Sequence, residues 1–260
     1  MSKLPQELVD RIIDQVHDRK SLKACCLVCS QWSVRSRKHL FARVEFADVE
    51  DLQRWCARIH PGPSGLSSLV EDLSLSECIP PVFIPSWLDL YDFSDAAPHL
   101  QSFSGLRVLK IWRWRMSTDR VSLKLHSFGS SLENVTHLVL RDVSVHPLTL
   151  AMFVSHFPRL DDLSLFGIHP VMFDGTDDLH RRLRADIVQT HPGGKLSVAH
   201  RPTDRSQKGV FEAITLLEPR FQKIVLTDID YDEWRDYWPL VEACGGSLEE
   251  LKILVGTMGE

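Results

Sequence analysis

Leu8, Val9, Ile12, Ile13 and Val16 recur at the spacing of one helical stripe. Pro5 suits the first turn of that helix, where a missing N–H costs nothing, and it pushes Leu4 towards an extended conformation. The helix is expected to end near His17-Asp18-Arg19, and Ser21 is the expected N-cap of a second. On this second helix Leu22, Cys25, Cys26 and Cys29 share a face, with Leu27 and Val28 beside them. A third helix begins at Ser30 or Gln31, carries Trp32 and finishes around Leu40-Phe41. Three short helices cannot bury two wide apolar arcs by themselves, and a unit below about 40 residues is marginal alone. The surplus apolar surface must meet the rest of the chain or a partner.

Beyond residue 42 the period changes to a repeated apolar-x-x-apolar-x-apolar unit. It occurs at Val70-Leu73-Leu75, Leu106-Leu109-Ile111, Val135-Leu138-Leu140, Leu160-Leu163-Leu165, Phe221-Ile224-Leu226 and Leu248-Leu251-Ile253. Phe41-Val44-Phe46 opens the series, and Leu196-x-Val198 is a degenerate copy. Successive units lie roughly 25–36 residues apart, around the upper end of the leucine-rich-repeat range. Helical patterns fall between them: Val49–Ile59, Leu148–Phe157, Val210–Leu217 and Glu233–Ala243. The predicted class is α/β. Residues 1–42 form a helical module, and residues 43–260 form an irregular strand–helix solenoid with its strands lining the inner face. Pro-rich 79–100 and 169–194, the latter partly helical around Leu179–Val188, read as insertions. Where a regular repeat keeps Asn or Cys, this chain has Cys78, Trp114, Val143, Ile168 and Ile229. No asparagine ladder can form, so irregularity is expected. An unpaired final strand at Leu251–Val255 with an apolar edge would mark truncation or a partner.

Charge divides the chain in the same place. The net charge is −5, but residues 1–43 hold nine Lys/Arg against four Asp/Glu, leaving the body at −10. A basic head suits an acidic protein partner. Its cations are dispersed and lack a stacking platform, which argues against nucleic acid. The 6 cysteines, three of them at Cys25, Cys26 and Cys29, do not make a secreted disulfide framework. There is no apolar signal core and no membrane-length apolar run. The expected location is intracellular, cytoplasmic and/or nuclear.

The register Leu4-Pro5-x-Glu7-Leu8, then Ile12, Val16, Leu22, Cys25, Val28-Cys29 and Trp32, resembles the F-box, and is especially similar to F-box proteins of mushroom-forming fungi. The resemblance covers residues 4 to about 45. It implies docking on a Skp-family adaptor and through it on a cullin. Leu4, Pro5, Leu8, Ile12, Leu22, Val28 and Trp32 would bind that adaptor or shape its docking surface. It also implies a leucine-rich-repeat body that holds a target protein, so the chain would be the substrate-recognition subunit of a ubiquitin ligase and not an enzyme.

In the body, residues flanking the inward leucines face outward, among them Lys110, Trp112, His137, Val139, Arg141, Ser164, Phe166, Lys223, Val225 and Thr227. Trp112, Arg141 and Phe166 form the candidate target-binding cluster, since Trp and Arg are enriched in hot spots. The alternative is that an insertion covers the two aromatics. Cys26-x-x-Cys29 lacks the second ligand pair of a zinc site and reads as core. Asp228-x-Asp230-x-Asp232 fails as a calcium loop because Glu233 and Pro239 stand where Gly and Glu are needed, so these acids are expected to cap the next helix. No nucleophile–base pairing, metal site or cofactor motif can be singled out. Besides the receptor, the pattern admits a repeat scaffold whose N-terminal helices only cap the solenoid, and a hydrolase with an unrecognised site.

Overall fold

A computed structural model describes residues 4–62, 65–77, 87–90, 94–116, 127–171, 187, 190–199, 208–229 and 234–255. Three helices open the chain: α1 (Gln6–Asp14), α2 (Arg19–Val28) and α3 (Ser30–Phe41). Pro5 is the cap of α1, its carbonyl accepting from the amides of Leu8 and Val9. α2 starts three residues earlier than the Ser21 cap would place it. Asp18 is the cap, and its carboxylate accepts from the Ser21 amide at 2.8 Å. Cys29, with extended backbone, separates α2 from α3.

The body is mixed α/β. Its larger sheet contains β1 (Arg43–Phe46), β2 (Asp72–Ser76), β3 (Val108–Trp112), β5 (His137–Arg141), β7 (Asp162–Phe166), β9 (Gly193–Ala199), β10 (Arg220–Ile229) and β11 (Glu250–Val255). They lie side by side in chain order, and every described pairing is parallel. A second ladder joins β4 (Arg115–Met116), β6 (Ser144–Val145) and β8 (His169–Pro170). Each helical pattern read from the sequence falls on a helix: α4 (Val49–Arg58), Pro147–Val154, Lys208–Thr215 and Trp234–Ala243. α4 starts at a reciprocal cap: Asp48 accepts from the Asp51 amide, and Asp51 accepts from the Ala47 amide.

Strand alternation puts the repeated apolar pair on one face. Leu73, Leu109, Leu138, Leu163, Leu196 and Ile224 are register partners across the sheet, as are Leu75, Ile111, Leu140, Leu165, Val198 and Leu226. All are buried in one continuous core with the connecting helices. Each such side chain contributes about 1.5–3 kcal/mol relative to exposure.

The corner after each strand departs from the expected irregularity. Arg113, Asp142 and Gly167 all take left-handed backbone, with φ of 60°, 55° and 57°. Their amides donate to the carbonyls of Arg141, Phe166 and Ala199 on the next strand at 2.8, 2.7 and 3.1 Å. The turned chain then enters the β4–β6–β8 ladder with Trp114, Val143 and Ile168 buried. Backbone bonding satisfies the corner that an asparagine ladder would otherwise satisfy.

The degenerate unit has a local cause too. Gly194 opens β9 with φ 63°, and a Cβ there would collide with the backbone carbonyl of Asp161. The close approach lets the Lys195 amide donate to that carbonyl at 2.7 Å.

Of the first expected insertion, Trp87–Leu90 and Ala97–Gln101 are short helices, and Leu88 and Leu100 join the core. Most of 169–194, including its expected helix, lies outside the described residues.

Candidate functional site

The wide apolar arc of α1 is two stripes. Val9 and Ile13 turn inward and are buried, forming the module's interior with Leu22. Leu4, Leu8 and Ile12 lie outward, with Leu8 46% and Ile12 45% exposed. Val16, Trp32 and Leu40 pack partly buried against the interior. Of the seven residues assigned to an adaptor, Leu4, Pro5, Leu8, Ile12 and Val28 offer surface. Leu22 is buried and Trp32 half-buried, so these two hold the helices in place. The assignment missed Leu27 and Val34, which are 87% and 75% exposed. Their helical phase gives the signal: Leu27 falls off the Leu22 stripe, and Val34 is flanked by Ser33 and Ser36, the small residues that α3 buries.

A polar clamp fixes α1 on α3. Asp14, at the end of α1, accepts from Arg35 Nε and a terminal guanidinium nitrogen, both at 2.7 Å, and His39 Nε2 lies 2.7 Å from its Oδ1. The Arg35 bonds, then those of His39, hold the Asp14 carboxyl well below the ordinary carboxylate range, and Asp14 in turn raises Arg35. The three groups are far apart in sequence and form no motif there.

The outward face of the body's sheet is the second candidate. Parallel sheets are usually covered on both faces, but here the residues between the inward leucines are exposed or half-buried on most strands. Trp112, Arg141 and Phe166 are direct register partners on β3, β5 and β7. Adjacent strands are about 4.8 Å apart, so the three side chains stand in one row. Arg141 is exposed, whereas the two aromatics are half-buried. The described helices of the first insertion pack into the core; Trp87 bonds to the Ser76 carbonyl and the Glu77 carboxylate at the end of β2. Along the opposite margin Lys110 pairs with Asp72 at 2.6 Å, and Glu250 pairs with Lys223 at 2.6 Å and Lys252 at 2.9 Å. These lysines, Lys223 first, lower the Glu250 carboxyl.

The Trp112-Arg113-Trp114-Arg115 run is split by the corner. Trp114 is buried, packing edge-to-face on Phe153 at 5.9 Å, so the two indoles do not form a shared stacking platform. Cys25 and Cys26 are half-buried, and Cys29 is exposed at the helix break and outside the core that the sequence assigned to it. Asp228 is a strand residue with φ 58° and does not cap the helix at Trp234, whereas Asp230 and Asp232 lie outside the described residues. Among the described residues no group of three or more His, Cys, Asp or Glu is placed to hold a metal ion, and no helix is long and apolar enough to cross a membrane. No family model matches this chain, and no curated protein matches it.

Proposed function

We propose that the chain is the substrate receptor of a Skp–cullin–F-box type ubiquitin ligase. Residues 4–41 are read as an F-box, and the body as a leucine-rich-repeat-like solenoid that holds a target protein. The observation that carries this reading is the outward stripe Leu4, Leu8 and Ile12 on α1, exposed beside a small interior. Apolar side chains held in register on a well-packed helix are what a docking helix requires. The exposed Leu27 and Val28 add to that surface. The chain-order parallel sheet supports the solenoid reading. In such an assembly the chemistry belongs to other subunits, and this chain contributes proximity between target lysines and the ligase.

A module that merely capped the solenoid would cover its apolar surface with the body. Instead, its interior cluster is separate from the body's core, and Leu8 and Ile12 remain uncovered. The test is co-purification with a Skp-family adaptor, comparing wild type with Leu8→Asp/Ile12→Asp. Both positions are exposed, so the variant should fold and lose the adaptor. Equal recovery by a folded variant sinks the docking claim.

A further inference from the structure

Resting on that receptor reading, we infer that the corner of the sheet around Arg113, Arg115 and Arg141, beside Trp112 and Phe166, docks an acidic, extended segment of the target protein.

The backbone brings the three arginines to one corner of the sheet. The Arg113 amide donates to the Arg141 carbonyl, and Arg115 follows two residues later in the second ladder. All three side chains are exposed, and none makes an ion pair or hydrogen bond among the described residues. On the other margin of the same face, Lys110, Lys223 and Lys252 are all neutralised by Asp72 or Glu250. The acids near the arginines are otherwise engaged: Asp142 is half-buried and has other contacts, and buried Glu77 accepts from the Trp87 amide at 3.1 Å. Among the described residues an island of unpaired guanidinium therefore stands on a body of net charge −10. Guanidinium forks match carboxylates in bidentate geometry. The half-buried rings of Trp112 and Phe166 flank Arg141 and give a peptide backbone flat apolar walls. The φ of 60° at Arg113 is unfavourable for a residue with a Cβ, and its retention costs stability at the place where its charge is displayed.

The test measures fluorescence anisotropy of a labelled oligo-glutamate peptide with the full chain. An oligo-glutamine peptide serves as the control. Wild type should bind the acidic peptide alone, more weakly as salt rises. Arg113→Gln/Arg115→Gln/Arg141→Gln should lose about tenfold or more in affinity with an unchanged thermal midpoint. Arg19→Gln/Lys20→Gln/Lys23→Gln, in the basic module, should bind as wild type does. Should the first triple misfold, Arg141→Gln alone should still lose affinity several-fold, while Arg141→Lys, which keeps the charge but not the fork, should fall between Arg141→Gln and wild type.

A phosphoserine-containing peptide that binds more tightly, and loses binding in the same triple, supports the site. Equal binding by the body triple, loss in the module triple, or tighter binding of single-stranded oligouridylate overturns it. Adaptor capture run in parallel separates the two claims. If capture persists without peptide binding, the site fails alone; if peptide binding persists without capture, the receptor reading fails alone.

Discussion

In the N-terminal module Val9, Ile13 and Leu22 make up the buried interior, whereas one apolar cluster runs through the body from Phe46 to Cys244. The module nonetheless exposes Leu4, Leu8, Ile12, Leu27, Val28 and Val34, while the middle of the body's outward face is largely polar or half-buried. Apolar side chains are therefore used differently in the two regions. In the body they stabilise the chain's own fold except on β11, last in the sheet order, where Leu251, Ile253, Leu254 and Val255 are exposed as the apolar edge expected there. In the module six of them remain exposed, and a polar clamp at Asp14 assists a small core in holding the helices.

The largest break in this comparison should come from the body's backbone. Gly194→Ala places a Cβ against the Asp161 carbonyl at a left-handed φ, and nothing there is a flexible side-chain end that could yield. A loss of more than about 3 kcal/mol is expected in urea unfolding followed by tryptophan fluorescence. A midpoint within error of wild type would mean that β9 accommodates the change by shifting away from β7.

Next in size is a pair of neighbours in the module. Ile13→Ala removes an interior side chain and should cost roughly 3 kcal/mol of the module's stability. Ile12→Ala, one residue earlier and 45% exposed, should cost less than about 0.5 kcal/mol. Amide hydrogen exchange over residues 6–41 reads both changes without depending on unfolding of the body. Equal effects would erase the distinction between an inward and an outward stripe on α1.

That distinction could be seen only partly in the sequence. Helical spacing identified the wide arc on α1 but not which half turns inward, because Leu8/Ile12 and Val9/Ile13 have the same i, i+4 spacing and similar hydropathy. The repeat was legible for a stronger reason: in a strand, period two assigns each residue to a face, so Leu138 and Leu140 had to share a side with Leu109 and Ile111. Trp112, Arg141 and Phe166 fell into one row for the same reason. The corners were not legible. Positive φ at Arg113 and Asp142 is imposed by the ladder bonds to the next strand, and an arginine gives no local sign of it. Nor was the Asp14–Arg35–His39 clamp, which joins the end of one helix to the middle of another.

Acid should separate the two regions more gently. Asp14 is depressed in the folded chain, so its pairing contributes fully above its ordinary value of 3.8 and is lost as the pH falls further towards the depressed folded value. Asp14→Asn should therefore lower the module's protection in hydrogen exchange at neutral pH. The gap from wild type should narrow below about pH 3.8, where the Asp14 carboxyl takes up a proton in the unfolded chain while it is still ionised in the folded one. A gap that stays constant across that range would assign the loss to packing and not to charge.

The smallest expected effect has the opposite sign. Arg113→Gly removes the penalty of a Cβ at φ 60° but adds the backbone freedom of glycine to the unfolded chain, so the net gain should be below about 1 kcal/mol. Gly167 already occupies the equivalent corner two strands away, and the ladder geometry accepts it without change. The same substitution removes one of the three exposed guanidinium groups, so it should bind an acidic peptide less tightly while melting slightly higher. Asp142→Gly, at the intervening corner, relieves the same backbone strain without removing a cation. A higher midpoint in both variants, with weaker peptide binding in Arg113→Gly alone, would identify residue 113 as a position where stability is given up for charge. If Arg113→Gly binds as tightly as wild type, the arginine at that corner has no such role, and the strain there belongs to the fold alone.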